Sequence, residues 1–197
     1  MRRIRTLAPL LLAGLLFGVL VAVIKGQDAG VRNALGNASA PWVVVPFLAG
    51  MRADRVLHGA LLGIATTVAS FFGFYVAEAA ILDLGPHPWY IDLKLTVLTV
   101  NVYEKWGLVS GSVYGALGAV WASRRLIAAP IALGLAFLAE PLILLLLSRA
   151  GVWGGGGLLD HSWLWIAEVL LGVGAITVVV SRTRRGRAGL AISSSIE

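Results

Sequence analysis

Cysteine is absent from this chain, and charged side chains are scarce. The lack of cysteine excludes disulfides, thiolate metal sites and thiol catalysis. Only 13% of the residues are charged, whereas a soluble domain has about 25%. Apolar residues make up 58% of the chain, and the mean hydropathy is +0.87. This composition predicts a membrane protein.

Long apolar runs divide the chain into helical spans. A helix needs about 20 mostly apolar residues to cross the hydrocarbon core, and residues 7–25, 56–81, 126–148 and 161–181 form clear candidates. Two further segments, 33–50 and 107–124, are shorter or more mixed, and the first contains Pro41 and Pro46. We predict an all-α fold with a six-helix transmembrane bundle in residues 1–181. A basic cytoplasmic tail follows at 182–197.

The basic residues indicate how the spans are oriented, because cytoplasmic loops are enriched in Lys and Arg. With six spans and the N-terminus inside, eleven of the 16 basic residues fall inside and five outside. We therefore predict a multi-pass protein of the plasma membrane with both termini cytoplasmic. The first apolar run exceeds the 7 to 15 residues of a signal-peptide core. The charges act as orientation signals and lipid contacts, so we expect no nucleic-acid partner.

The first and fourth predicted spans resemble each other. At an offset of 97 residues, Gly14 and Gly18 fall on Gly111 and Gly115. Such a match is typical of two inverted three-helix repeats. It is also typical of the small-residue spacing common to membrane helices, so both interpretations stay open.

A polar segment separates the third and fourth spans. Asp92, Thr96, Thr99 and Tyr103 recur there at helical spacing beside an apolar stripe. This pattern predicts an amphipathic helix on the outer side, lying in the interface or re-entering the membrane.

Glu140 and Glu168 lie well inside the fifth and sixth predicted spans. With 1.5 Å rise per residue, both lie roughly 10 to 12 Å below the outer surface, on consecutive antiparallel helices. Carboxylates in hydrocarbon are costly, and such residues are functional by default. One hypothesis is that they bind a ligand or a proton. The alternative is that they hold the bundle together by hydrogen bonds, or share one proton.

Other polar residues of the outer half extend this candidate site. We predict that it also includes Glu78, Asn37, Trp42 and Asn101. The predicted spans contain no Lys or Arg in their interior, so a cationic or neutral hydrogen-bonding solute suits the carboxylates better than an anion. We expect no cofactor. His87, Asp160 and His161 are a weak metal-site pattern, and we predict no metal site.

A second functional hypothesis concerns the fourth span. Residues 110–118, from Ser110 to Gly118, resemble the fourth span of rhomboid proteases. The resemblance implies an intramembrane serine hydrolase with Ser110 as nucleophile and His161 as its base. Leu108 stands where that family has a glycine, and the family's second-span pattern of histidine and asparagine is missing. A third hypothesis is a non-catalytic membrane assembly protein.

Several short segments together resemble one family along nearly the full chain. They are Lys25-Gly26, Leu35-Gly36-Asn37, Ser39-Ala40-Pro41-Trp42, Phe74-Tyr75, residues 82–87 and Ala139-Glu140-Pro141. The order resembles a family of uncharacterised bacterial polytopic membrane proteins of similar length. The predicted architecture also resembles the substrate-binding subunits of energy-coupling-factor transporters. That second resemblance implies docking to a partner membrane subunit through Gly14-xxx-Gly18. The expected partners are the lipid bilayer, a small-molecule ligand, and a partner subunit or a second copy of the chain.

Overall fold

The computed structural model describes residues 4–26, 30–81, 87–98, 102–151 and 160–193. These residues form helices and turns, with no strand among them, which confirms the all-α prediction. A 3₁₀ helix at Ala40–Val43 precedes α3, and a π-helix at Ala77–Ile81 follows α4. The α-helices are α1 (Ile4–Lys25), α2 (Val31–Gly36), α3 (Val44–Gly50), α4 (Val56–Val76), α5 (Trp89–Leu98), α6 (Val102–Arg124), α7 (Ala128–Arg149) and α8 (Ser162–Ser193).

Four helices in the described part of the chain are long and apolar enough to cross a membrane. They cover Leu7–Lys25, Val56–Ala80, Ala128–Arg149 and Ser162–Ser181. The two remaining predicted spans differ for separate reasons. Residues 33–50 are divided among α2, the 3₁₀ helix and α3. The other, α6, is a continuous helix, but residues 107–124 contain four glycines and three serines, which make the segment less apolar than the other spans.

Helix α4 lies at the centre, with α1 packed on one side and α6 and α3 on the other. Small residues let the backbones approach closely. A Cβ atom added at Gly14 of α1 would lie 2.7 Å from the Thr66 carbonyl oxygen, and one added at Gly59 of α4 would lie 2.6 Å from the Gly115 carbonyl oxygen. The Gly14-xxx-Gly18 surface is therefore covered by α4 within the chain. The resemblance to energy-coupling-factor subunits is unconfirmed.

Helices α7 and α8 form an antiparallel hairpin. Gly134 and Gly172 lie at its contact, where a Cβ added at Gly172 would lie 2.8 Å from the Gly134 carbonyl oxygen. The apolar residues on the outer faces of both helices are exposed, as expected of surfaces that face lipid. Glu140 of α7 and Glu168 of α8 are instead buried.

The predicted elements around this core differ in extent from the observed ones. A helix, α5, is present between the third and fourth predicted spans and includes Asp92 and Thr96. Thr99 of the predicted pattern lies outside the described residues, and Tyr103 belongs to the next helix, which begins at Val102, five residues before the predicted start of its span. Helix α8 continues to Ser193, so most of the predicted tail is helical. An inverted repeat would pair α6 with α8 as α1 pairs with α4. Because α6 packs instead on α4 and α3, the repeat is not confirmed.

Candidate functional site

The candidate site is built around an interrupted helix. Helix α2 ends at Gly36, and the chain turns through Asn37 to Ser39 before the 3₁₀ helix begins at Ala40. Pro41 lies in the first turn of that helix, where a missing N–H is tolerated. The N-cap residue, Ser39, makes no side-chain capping bond. The first N–H groups therefore need an acceptor from elsewhere in the protein.

Glu140 supplies this acceptor from α7. Its Oε1 accepts a hydrogen bond from the Ser39 N–H and its Oε2 accepts one from the Ala40 N–H, both at 2.5 Å. The side chain is buried, with 7% of its surface exposed. A carboxylate at a helix N-terminus is stabilised by the unpaired N–H groups and by the helix dipole. Glu140 thus caps the 3₁₀ helix by accepting hydrogen bonds from it, although Glu140 and Ala40 are 100 residues apart in the sequence.

Glu168 lies beside Glu140 without a comparable partner. Only 7% of its surface is exposed, and its carboxyl group is close enough to that of Glu140 for an electrostatic interaction. Neither carboxyl oxygen makes a hydrogen bond within the described residues. The structure therefore brings the two glutamates together, with unequal surroundings. A buried acid without a partner is destabilising unless a proton, a cation or a donor group completes it.

Trp42 connects this pair to an aromatic cluster. It lies two residues after Ala40, and its ring centroid is 5.5 Å from that of Phe17, 5.2 Å from Phe71 and 5.6 Å from Phe74. These rings belong to α1 and α4, so the start of the 3₁₀ helix is fixed on one side by Glu140 and on the other by aromatic packing.

Glu78 is engaged by Lys25 at the end of α1. The Lys25 Nζ donates to Glu78 Oε1 at 2.6 Å and lies 5.1 Å from the centre of the Phe74 ring. A series of contacts thus connects Glu78 to Trp42: Lys25 contacts both Glu78 and Phe74, and the Phe74 ring packs against Trp42. Nothing in a local sequence pattern links Lys25 to Glu78, because the two residues are 53 positions apart.

Tyr75 and Glu104 form a further buried contact that the sequence did not single out. The Tyr75 hydroxyl donates a hydrogen bond to Glu104 Oε1. Tyr75 also packs against Phe71 and Phe74, at centroid distances of 6.5 Å and 5.6 Å. The acidic residues Glu78 and Glu104 thus each have a side-chain partner. The carboxyl oxygens of Glu168, by contrast, make no hydrogen bond in the described part of the chain.

The remaining predicted site residues lie elsewhere or make local bonds. Asn37 is exposed at the end of α2, where its Nδ2 donates to Asn33 Oδ1 at 2.7 Å. Asn101 lies outside the described residues. The Ser110 hydroxyl donates to the Gly107 carbonyl at 3.0 Å in its own helix, and His161 precedes α8, which packs on α7. The hydrolase assignment of Ser110 and His161 stays a prediction.

His87, one of the two histidines of the weak metal pattern, has a local partner. His87 Nδ1 lies 3.0 Å from Asp92 Oδ1, and the His87 N–H donates to Asp92 Oδ2 at 3.1 Å. These contacts bring Asp92 back onto the residues just before α5. Among the residues that the structure describes, no three His, Asp or Glu side chains are grouped as a metal site requires.

Comparison with known proteins identifies the family and no function. No curated protein and no solved structure matches the chain. The family that matches is described only as one of unknown function, and the match extends over residues 1–196. The chain belongs to this family, DUF6518, as the resemblance to an uncharacterised family predicted.

Proposed function

We propose that this protein binds or transports a small cationic or neutral solute, with Glu168 as the residue that contacts it. The proposal places the protein in the plasma membrane as a multi-pass protein with six spans and both termini cytoplasmic. Four spans correspond to the helices that are long and apolar enough to cross. The interrupted segment from Val31 to Gly50 and helix α6 would supply the other two.

One observation carries the proposal: a buried carboxyl group whose oxygens make no hydrogen bond of normal geometry to the residues that the structure describes. Glu168 is 7% exposed, and its two oxygens make no bond within the described residues. The two oxygens of Glu140 are already occupied by the N–H groups of Ser39 and Ala40. Glu168 is therefore the group left to accept a proton, a small cation or a donor group of a solute.

The surrounding charges favour a cation or a neutral donor over an anion. Two carboxyl groups face each other here, and repulsion between them falls when a positive or hydrogen-bond-donating group arrives. Lys25 is held by Glu78, so it does not neutralise the pair. An anionic solute would add a third negative charge at a buried place, which is costly.

The interrupted helix supports a binding role in a second way. Discontinuous helices near the membrane midplane form the solute sites of several transporter folds, because their free backbone groups replace solvent. Here the interruption at Asn37 to Ser39 meets Glu140, and Glu140 meets Glu168. A change in the charge of the pair would alter how firmly the 3₁₀ helix is held, which links occupancy of the site to backbone position.

The test is a ligand screen on the purified full-length protein in uncharged detergent. Thermal unfolding is followed with a panel of alkali cations, small amines and neutral polyols. We expect at least one cation or amine to raise the unfolding temperature, and we expect Glu168→Gln to remove that increase. Glu104→Gln is the matched control, because Glu104 is equally buried at 7% but is bonded to Tyr75. An increase that persists in Glu168→Gln contradicts the proposal.

A structural role in membrane assembly is the second candidate, and the bonds of Glu140 favour it. Both oxygens of that side chain hold backbone N–H groups, which is a use of a carboxylate that needs no ligand. If this candidate is correct, no solute in the panel changes the unfolding temperature. Glu140→Gln then still weakens the fold, because it breaks hydrogen bonds that need no ligand. Glu168→Gln then behaves like the wild type with every solute.

A further inference from the structure

A cavity of about 340 Å³ lies beside the first turns of α4. The cavity is separate from the glutamate pair. Glu140 binds the backbone of Ala40, and Trp42, two residues further on, packs against Phe71 and Phe74 near the other end of α4. The volume of the cavity falls in the range of about 300 to 1,000 Å³ that is usual for small-ligand sites. Nothing in the proposed solute site accounts for it.

The wall that α4 contributes is polar at one end and apolar along the rest. His58, Leu61, Leu62 and Ala65 line the cavity, and their spacing of three, four and seven residues places them on one face of the helix. From His58 to Ala65 the helix rises about 10 Å. The cavity therefore has a histidine at its entrance and a hydrocarbon surface that continues towards the middle of α4.

The entrance also carries the charges of the turn between α3 and α4. Arg52 and Asp54 line it, and Arg52 is exposed. The turn is held by backbone bonds, from the Arg52 N–H to the Ala49 carbonyl at 3.1 Å and from the Ala53 N–H to the Gly50 carbonyl at 2.9 Å. Asp54 already makes an interaction within the protein. These bonds fix the backbone of the turn that carries Arg52.

At this end both α1 and α4 line the cavity. The two helices are in close contact at Gly14, where an added Cβ would lie 2.7 Å from the Thr66 carbonyl oxygen. Two turns earlier, α1 contributes Leu7 to the lining of the cavity. Leu61 is 55% exposed on the opposite wall. The apolar wall of the cavity therefore includes an exposed leucine, and the end near Arg52 lies at the boundary of the span that begins at Val56.

We propose that this cavity binds one anionic phospholipid, with the phosphate near Arg52 and His58 and the first part of an acyl chain on Leu7, Leu61 and Leu62. Arg and His donate to phosphate oxygens, and the carbon surface below them matches a chain that continues into the bilayer. A volume equal to about eleven water molecules of 30 Å³ holds a headgroup phosphate and the start of a chain, but not a whole lipid. The rest of the lipid would remain in the membrane.

Lipid binding to the purified full-length protein, measured by native mass spectrometry in uncharged detergent, tests this inference. The probes are phosphatidylglycerol and phosphatidylcholine with identical chains, together with glycerol 3-phosphate as a competitor without chains. We expect phosphatidylglycerol to bind more tightly than phosphatidylcholine. Arg52→Gln should weaken it about fivefold, the effect of one arginine near an anionic lipid headgroup, and His58→Ala should also weaken it by removing a donor to the phosphate.

Arg149→Gln is the matched control, because it removes the same charge from the last turn of α7, away from the cavity. It should leave phosphatidylglycerol binding unchanged. Ala65→Phe is a second variant that fills the apolar wall without changing charge, and it should also weaken binding while thermal unfolding confirms the fold.

Three results would overturn the inference. They are equal binding of the two lipids, an equal effect of Arg149→Gln and Arg52→Gln, or displacement of phosphatidylglycerol by glycerol 3-phosphate at equal concentration. The last result would assign the cavity to a soluble phosphate compound. None of these measurements involves Glu168, so the two proposals can fail separately.

Discussion

Replacing the two buried glutamates one at a time should give unequal changes in the free energy of unfolding. Glutamine keeps the size of the side chain and one carbonyl oxygen, but it puts an amide N–H₂ where the second carboxylate oxygen was. In Glu140→Gln the N–H of either Ser39 or Ala40 then faces another donor. In Glu168→Gln no hydrogen bond of the described residues is lost.

The magnitude for Glu140→Gln comes from the bonds that change. A hydrogen bond to a charged group contributes about 1.5 to 3 kcal/mol, and one of the two is lost. The other becomes a bond between neutral groups, which is roughly half as strong. A negative charge near a helix N-terminus adds about 0.3 to 1 kcal/mol. Relief of repulsion with Glu168 offsets part of this loss, so we expect a destabilisation of about 2 to 4 kcal/mol.

For Glu168→Gln we expect a change of less than about 1 kcal/mol, in either direction, because removing an unpaired buried acid has little to break. The assay is equilibrium unfolding in mixed micelles followed by tryptophan fluorescence, with hydrogen exchange of the Ala40 amide as a local readout. That amide should exchange faster in Glu140→Gln only. Equal destabilisation by both substitutions, or none by Glu140→Gln, would refute the assignment of Glu140 as the cap.

Three further predictions concern the helix contacts and the paired charges. Gly14→Ala should lower the free energy of unfolding by about 1 to 3 kcal/mol, because the new Cβ would lie 2.7 Å from the Thr66 carbonyl oxygen. Gly174→Ala is the control: its Cβ would have no neighbour within 4 Å, so the free energy of unfolding should change by less than about 1 kcal/mol. Unchanged stability in Gly14→Ala would contradict the close contact between α1 and α4, and would leave the Gly14 surface available for docking to a partner subunit. Tyr75→Phe should cost about 1.5 to 3 kcal/mol by removing its hydrogen bond to Glu104, and the same unfolding assay would contradict that bond if the variant matched the wild type. Lys25→Met should destabilise the protein by about 1 to 3 kcal/mol, because it leaves the carboxylate of Glu78 without its cation. In the double variant Lys25→Met with Glu78→Gln, the loss of stability should be smaller than the sum of the two single losses. Strictly additive losses would argue against the ion pair.

The sequence predicted the helical class and the longest helices because both depend on local composition. A run of about 20 mostly apolar residues is long enough to cross the hydrocarbon core as one helix, and its composition is read directly from the sequence. Residues 33–50 show where that reasoning ends. They are apolar overall, but Pro41 and the turn at Asn37 to Ser39 interrupt the helix, and only an acceptor from another helix makes the interruption tolerable. A span counted by hydropathy does not reveal such a break.

The candidate site was predictable in one respect. Depth along two antiparallel helices places Glu140 and Glu168 at the same level, and the structure has them side by side. The unequal roles were not predictable, because they depend on which backbone N–H groups reach the carboxyl oxygens. Lys25 and Tyr75 were missed for the same reason. Their partners, Glu78 and Glu104, lie 53 and 29 residues away.

The sequence by itself determined a chain rich in apolar helices, with no thiol chemistry and with two acidic residues inside its last two long helices. These properties follow from residue types and their spacing, which act locally. Only the tertiary structure decided that Glu140 caps an interrupted helix, that the oxygens of Glu168 make no hydrogen bond within the described residues, and that residues of α1 and α4 line a cavity near Arg52. Those features arise where elements distant in sequence meet, since hydrogen bonding and close packing depend on distances that no local pattern sets.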